Sequence, residues 1–232
     1  EDCVVWDLSF SEIHINAIIP FAIYQYARAT GDNEYLFSKG AEVIVEQARF
    51  WASRACFIPY RNGYALNRVT GPDEWHIWTN NNFYTNYMAK WVLEYAARVV
   101  DRMSTESPPD LDLLAAKIKL DPDELIVWRR IADKMILNYD ESLGIFPQDD
   151  MFLSMEPFSR EQLDPDKDIP LERHWTVEKW YKTDMVKQPD TLLAMFFHRE
   201  KFPLGQKIDN YRFYEQRTTH SSSLSPCIHS IL

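Results

Sequence analysis

Residues 69–76 read Val-Thr-Gly-Pro-Asp-Glu-Trp-His, so a rigid Gly71-Pro72 turn delivers two adjacent carboxylates, Asp73 and Glu74, flanked by the Trp75 indole and the His76 imidazole. Adjacent acids have a chemical use. One set against an aromatic wall is raised in pKa and can donate a proton, while its neighbour stays ionised and orients. The same two acids would equally well cap the helix that follows. Lys187-Gln188-Pro189-Asp190 offers a cation and an amide at a helix edge, suited to bonding several sugar hydroxyls or, more plainly, to a solvated helix start. In Thr218-Thr219-His220-Ser221-Ser222-Ser223, hydroxyls, an imidazole and helix-start amides suit a phosphate without much positive charge. Ser and Thr also cap helices routinely, so that segment too has two readings. Trp75, Trp78, Trp175 and Trp180 sit in polar, non-periodic stretches where they could stack on sugar rings or simply fill core, whereas Trp51, Trp91 and Trp128 fall at helical spacing and are assigned to packing.

The elements that must position these segments are mostly helical. Ile15, Ile18, Ile19, Ala22 and Tyr26 recur at helical spacing, with a Ser9/Glu12 capping box as the start and Gly31 as the stop. Asp32 caps a second helix, with Leu36, Val43, Ile44, Phe50 and Trp51 on its apolar face, running to about Arg54. Ile58, Tyr60, Tyr64 and Leu66 alternate around Asn62-Gly63, a small hairpin. Tyr84, Tyr87, Met88, Trp91, Val92, Tyr95 and Val99 make the clearest helix. Residues 104–120, with Pro108-Pro109 and many acids, read as a connecting loop. Asp121-Pro122-Asp123-Glu124 combines cap, first-turn proline and capping-box acid for a helix over 122–138. Residues 139–182 lack sustained periodicity, a helix opens behind Pro189, and another opens near Ser223 to Ser225. All three polar segments precede a predicted helix N-terminus, where backbone N–H groups favour anions. With no alternation of long strands and helices and no glycine-rich phosphate loop, the class is mainly α.

Composition bounds the partners. The 232 residues are 46% hydrophobic and 26% charged, enough for one sizeable globular domain. A formal charge of -10 argues against broad nucleic-acid or anionic-membrane binding, because phosphate backbones are held by Lys and Arg. Cys3, Cys56 and Cys227 are widely spaced and odd in number, which indicates neither a disulfide framework nor a zinc site and fits a reducing cytoplasm. No apolar run approaches the roughly 18 to 20 residues of a membrane helix. The absence of an initial Met and the apolar Ser-Ile-Leu ending suggest a piece of a longer protein.

Several separate blocks resemble glycoside hydrolase family 65, which includes maltose, trehalose, kojibiose and nigerose phosphorylases and acid trehalases. They are Glu12-Ile13-His14-Ile15-Asn16-Ala17; Ala48-Arg49-Phe50-Trp51; Gly71-Pro72-Asp73-Glu74-Trp75-His76 with Asn81-Asn82 and Thr85-Asn86-Tyr87-Met88; Val186-Lys187-Gln188; and His220 with Ser222-Ser223-Leu224-Ser225. The resemblance implies an (α/α)6 barrel, of which residues 1–232 would be the central and C-terminal part of one catalytic domain. The family's N-terminal β-sandwich, early barrel helices and C-terminal β-layer have no counterpart in this sequence. Trp6-Asp7 lies too close to the Glu12 block to be the family's Trp-Asp substrate motif.

By resemblance, Glu74 is the general acid, Lys187 and Gln188 hold the transferred glucosyl unit with Trp75, His14 and Glu12 as further substrate-binding residues, and His220, Ser222 and Ser223 bind phosphate. The family commonly has Tyr where this chain has Trp75, and an acidic or small residue where it has Ser221. The implied reaction is inverting phosphorolysis of an α-linked glucose disaccharide to β-glucose 1-phosphate and a free acceptor sugar. It needs inorganic phosphate as co-substrate but no metal or organic cofactor, and a homodimeric parent enzyme is expected. Two rivals stay open: an acid trehalase-like hydrolase using Glu172, Glu178 or Asp184 as base, and a non-catalytic, truncated carbohydrate-binding module.

Overall fold

The computed structural model describes residues 10–158, 176–188 and 190–232. They form two compact units: one comprises the segment ending at Ile13 with Asn67–Thr85 and Leu137–Leu232, the other His14–Leu66 and Asn86–Ile136. The chain is mainly α with one two-stranded antiparallel sheet, as the apolar periodicity predicts.

In the His14 unit, α1 (Ile15–Thr30) ends where Gly31 adopts φ 72 and returns its N–H to Ala27, a left-handed cap that glycine reaches without strain. Its start differs from the expected capping box. Ser9 lies outside the described residues, Glu12 precedes the helix, and the N-cap residue His14 makes no side-chain capping bond. Ser11 is taken by a different partner: its Oγ lies 2.8 Å from Thr70 Oγ1, and its carbonyl accepts the Thr70 N–H. Asp32 caps the short α2 (Asn33–Tyr35) by accepting from the Tyr35 N–H. A π-turn over Leu36–Gly40 leads into α3 (Ala41–Arg54). Gly40 is required there, since a Cβ would stand 2.9 Å from Ile23 Cγ2.

The hairpin pairs β1 (Cys56–Ile58) with β2 (Gly63–Ala65), but its turn is not the expected two-residue Asn-Gly. A 3-10 turn over Pro59–Arg61 and a left-handed Asn62 make the reversal, and Gly63 starts β2. A side chain at Gly63 would reach within 2.7 Å of Ile136. The long α4 (Phe83–Glu106) is buried around most of its circumference from Phe83 to Val100. The expected loop over 104–120 is instead largely α5 (Pro108–Ile118), because Pro108 and Pro109 occupy a first turn whose N–H groups need no partner. Helix α6 (Pro122–Asp133) has the predicted capping box, with Asp121 and Glu124 each bonding the other's backbone, but ends earlier than 138, after which the Tyr64 N–H donates to the Lys134 carbonyl and the Ile136 N–H to the Tyr64 carbonyl. Trp51 and Trp128 are fully enclosed and Trp91 nearly so.

The other unit carries the first residues of α4, then α7 (Val177–Lys182), α8 (Asp190–Phe197), α9 (Leu204–Glu215) and α10 (Leu224–Ile231). Helix α9, absent from the sequence expectations, buries only Asn210 and Tyr214; a polar stripe of this kind leaves no apolar period to read. The helices behind Pro189 and Ser223 stand where expected, although Pro189 itself lies outside the described residues. Among the described helices, none is long and apolar enough to cross a membrane.

Candidate active site

The Glu74 loop rests on a buried carboxylate. Asp190, the first residue of α8, accepts from the Asp73 N–H through Oδ1 at 2.6 Å and from Asn82 Nδ2 through Oδ2 at 2.7 Å. Asn82 Oδ1 in turn accepts the N–H and hydroxyl of Thr85, both at 2.9 Å, and so caps α4. Gly71 passes so close that a Cβ would lie 2.0 Å from Asp190 Oδ2. Burial drives the Asp190 carboxyl well above the ordinary carboxylate range, and the nearby Asp73 charge pushes the same way.

Asp73 is equally enclosed. Its Oδ1 accepts from the Trp75 and Lys187 N–H groups at 3.3 and 3.1 Å. Its Oδ2 accepts from Gln148 Nε2 at 2.8 Å, and the same nitrogen lies 2.9 Å from His76 Nδ1. Burial raises Asp73 too, opposed by His76 and by these donors. Asp73 is thus held by two backbone N–H groups and the Gln148 amide.

Glu74 turns the other way. Its side chain is 43% exposed, and Oε2 accepts from Lys187 Nζ at 2.8 Å. Lys187 thus grips both acids, Asp73 with its backbone and Glu74 with its ammonium. Glu12 belongs to the same group: partial burial raises its pKa, the Glu74 charge adds to the rise, and Lys187 opposes it. Gln188 is buried next along the chain. His14 falls in the other compact unit as the N-cap residue of α1.

The third polar segment is joined to the second through backbone. A parallel bridge pairs Val186 with Thr218, with the Val186 N–H donating to Arg217 and the Thr219 N–H to Val186, each at 2.9 Å. The residues after the bridge are Lys187-Gln188 on one side and Thr219-His220 on the other. His220 adopts φ 57, with Nδ1 2.9 Å from Ser225 Oγ and Nε2 3.4 Å from Glu215 Oε2. Ser222 Oγ accepts from the Leu224 N–H at 3.3 Å, and Ser223 is the exposed N-cap residue of α10.

Trp75, named above as a candidate sugar platform, is 2% exposed and stacks on Trp180 at 5.2 Å in a cluster with Phe158 and Met185. That burial makes it a wall under the Glu74 loop. Trp78 is half exposed, and Trp175 lies outside the described residues.

The profile of the glycosyl hydrolase family 65 central catalytic domain matches residues 3–232. The chain belongs to glycoside hydrolase family 65. It is 44% identical to an α,α-trehalose phosphorylase of Thermoanaerobacter brockii over 96% of its own length and 29% of that protein. It is 39% identical to a maltose phosphorylase of Bacillus subtilis (strain 168) over 98% of its length and again 29% of the relative. A solved structure of a putative kojibiose phosphorylase from human microbiome superposes with TM-score 0.84 at 33% identity, covering 93% of this chain and 29% of that one. The helical fold agrees with the family's (α/α)6 barrel. The chain spans under a third of the length of these relatives.

Within this family 65 chain, the three candidate general bases have different standings. Asp184 is committed, accepting from Arg217 Nε and from the Phe158 N–H, both at 2.6 Å. Glu178 pairs with Lys182 on the exposed side of α7. Glu172 lies outside the described residues. Three residues of the site were not assigned from sequence: Asp190, Asn82 and Gln148. Each acts across a long stretch of chain, and the available signals were the acid following Lys187-Gln188-Pro189 and the Asn81-Asn82 pair.

Proposed function

We propose that this chain supplies the acid, the sugar clamp and the anion-binding segment of an inverting phosphorylase acting on an α-linked glucose disaccharide. The observation that carries the reading is Lys187, which touches Glu74 and Asp73 and leads, through the Val186–Thr218 bridge, to the His220 segment. The trehalose and maltose phosphorylases it resembles support phosphorolysis as the general reaction.

In the proposed cycle Lys187 turns its remaining donors, and Gln188 its amide, toward the glucosyl hydroxyls, loosening the hold of the ammonium on Glu74. Glu74, carrying a proton, gives it to the glycosidic oxygen as the C1–O bond breaks. A phosphate oxygen held near His220, Ser222 and Ser223 attacks C1 from the opposite face, so the α-glucoside leaves as β-glucose 1-phosphate and the acceptor leaves with a free hydroxyl. Phosphate is already anionic and replaces the base that a hydrolase must supply. The commitment of Asp184 to Arg217 supports phosphate over water as nucleophile, and the scheme calls on no metal or organic cofactor.

The test is to incubate the complete protein with maltose, trehalose, kojibiose or nigerose, with and without phosphate, and to assign the anomer of any glucose 1-phosphate. Phosphate-dependent β-anomer, lost in Glu74→Gln, is expected. Equal cleavage without phosphate, or turnover retained in Glu74→Gln, refutes the proposal.

A further inference from the structure

We infer that Glu215, His220 and His229 form a binding site for a divalent transition metal of the zinc class. Their donor atoms lie within 4.8 Å of one another, the one group of three or more such residues found among the described residues. The Glu215 carboxylate is placed between two imidazoles: its Oε2 meets His229 Nδ1 in a short contact and lies 3.4 Å from His220 Nε2. The imidazole rings stand edge to face with centroids 4.8 Å apart, so their nitrogens converge on the carboxylate instead of stacking away from it.

The distances fit a small cation. Zinc bonds to nitrogen and oxygen of about 2.0–2.1 Å set neighbouring tetrahedral donors roughly 3.3 Å apart; the Glu215–His220 pair is already there, and the Glu215–His229 pair, now in direct hydrogen-bond contact, would open to that spacing as the ion takes the place of the proton. Bringing the most distant donors to that spacing asks for a closure of about 1.5 Å or less. The movable member is His220, on the turn between α9 and α10, whereas Glu215 ends α9 and His229 is buried on α10 against Tyr211. The supporting shell is also present. Ser225 Oγ lies 2.9 Å from His220 Nδ1 and can accept its proton, which would leave the Nε2 lone pair for a cation, the arrangement that fixes most metal-bound histidines. Two histidines and a carboxylate leave a further position open for water or an anion. A carboxylate held between two imidazoles is bridged by ring N–H protons in the absence of metal; a cation takes their place and releases them to solvent.

One consequence rests on the function proposed above, although the site itself does not. If His220 binds phosphate, metal and phosphate contend for the same ring, and zinc raises the apparent KM for phosphate. The experiment uses the complete protein with Cys3, Cys56 and Cys227 replaced by Ser, which removes thiols as competing ligands. Cobalt(II) is titrated in as a spectroscopic probe and zinc by calorimetry. One ion per chain with tetrahedral cobalt absorption is expected, with binding weakened at least tenfold in Glu215→Gln, a substitution that keeps the side chain's shape, and likewise in His229→Gln. Absence of binding, or binding unchanged in both folded variants, overturns the inference. Binding that follows these residues but leaves the phosphate KM unmoved upholds the metal site and counts against His220 as a phosphate ligand.

Discussion

Replacing Gly71 by Ala should loosen the Glu74 loop without touching any group in the proposed chemistry. The new methyl would stand 2.0 Å from Asp190 Oδ2 and 2.6 to 2.8 Å from the Asn82 amide atoms. Neither neighbour can yield at low cost, because both are buried and bonded to each other, and Asp190 also holds the Asp73 N–H. Clearing the contact requires a shift of more than about 1 Å. That breaks at least one hydrogen bond to a carboxylate, costing about 1.5–3 kcal/mol, and adds strain of about 1–3 kcal/mol. A loss of roughly 2.5–6 kcal/mol is expected against a typical total of about 5–15. Guanidinium unfolding followed by circular dichroism reads the global loss. Amide hydrogen exchange at Asp73 and Thr85 reads it locally, since those N–H groups donate to Asp190 and Asn82. Gly205→Ala is the control: nothing lies within 4 Å of its added Cβ, and Gly205 sits in α9, so stability should hold or rise by up to about 1 kcal/mol. Less than about 1 kcal/mol lost in Gly71→Ala, with Asp73 protection unchanged, would refute the close-packing argument.

Acid sensitivity should trace in part to His198, whose burial depresses its pKa from 6.5 to about 4. Between those values the unfolded chain binds the extra proton, so stability is full above about pH 6.5 and falls as pH drops toward 4, by about 3 kcal/mol. Unfolding curves across that range should be flatter for His198→Gln, and parallel curves would dismiss the residue as a source. Arg49→Lys should cost about 1–2 kcal/mol, because the guanidinium binds both Glu124 oxygens at 2.7 Å and reaches the Ile118 and Lys119 carbonyls, a set one ammonium cannot reproduce. Lys117→Met, which removes an exposed pair with Glu42, should change stability by under about 0.5 kcal/mol. Similar denaturation midpoints for these two variants would contradict the distinction.

What was legible in the sequence was what local chemistry decides. The Asp121-Pro122-Asp123-Glu124 box and the Gly31 stop act within one helical turn, and both stand as expected. Pro108-Pro109 misled because proline breaks a helix interior but suits a first turn, and only the helix that follows distinguishes the two. Helix α9 was invisible because Asn210 and Tyr214, which it buries, bond to the Gly144 and Phe146 backbone instead of joining an apolar stripe. The site divides similarly. Glu74 and Lys187 could be picked by type and motif, but their 2.8 Å contact spans 113 positions. The Asp190 seat beneath them depends on pairings across 108 and 117 positions, which no window of sequence displays.

The Val186–Thr218 bridge makes the chain between them an excursion that leaves and returns through one backbone junction. The spacing of the Lys187 and His220 segments is therefore set at that junction and not by the length of what lies between. Extra residues around 199–201, the exposed part of the connection from α8 to α9, would lengthen the excursion without changing its mouth. A single residue inserted between Thr218 and His220 would displace the imidazole directly. For anyone grafting a tag or a second domain onto this unit, the α8–α9 connection is the permissive place and the turn before α10 is not.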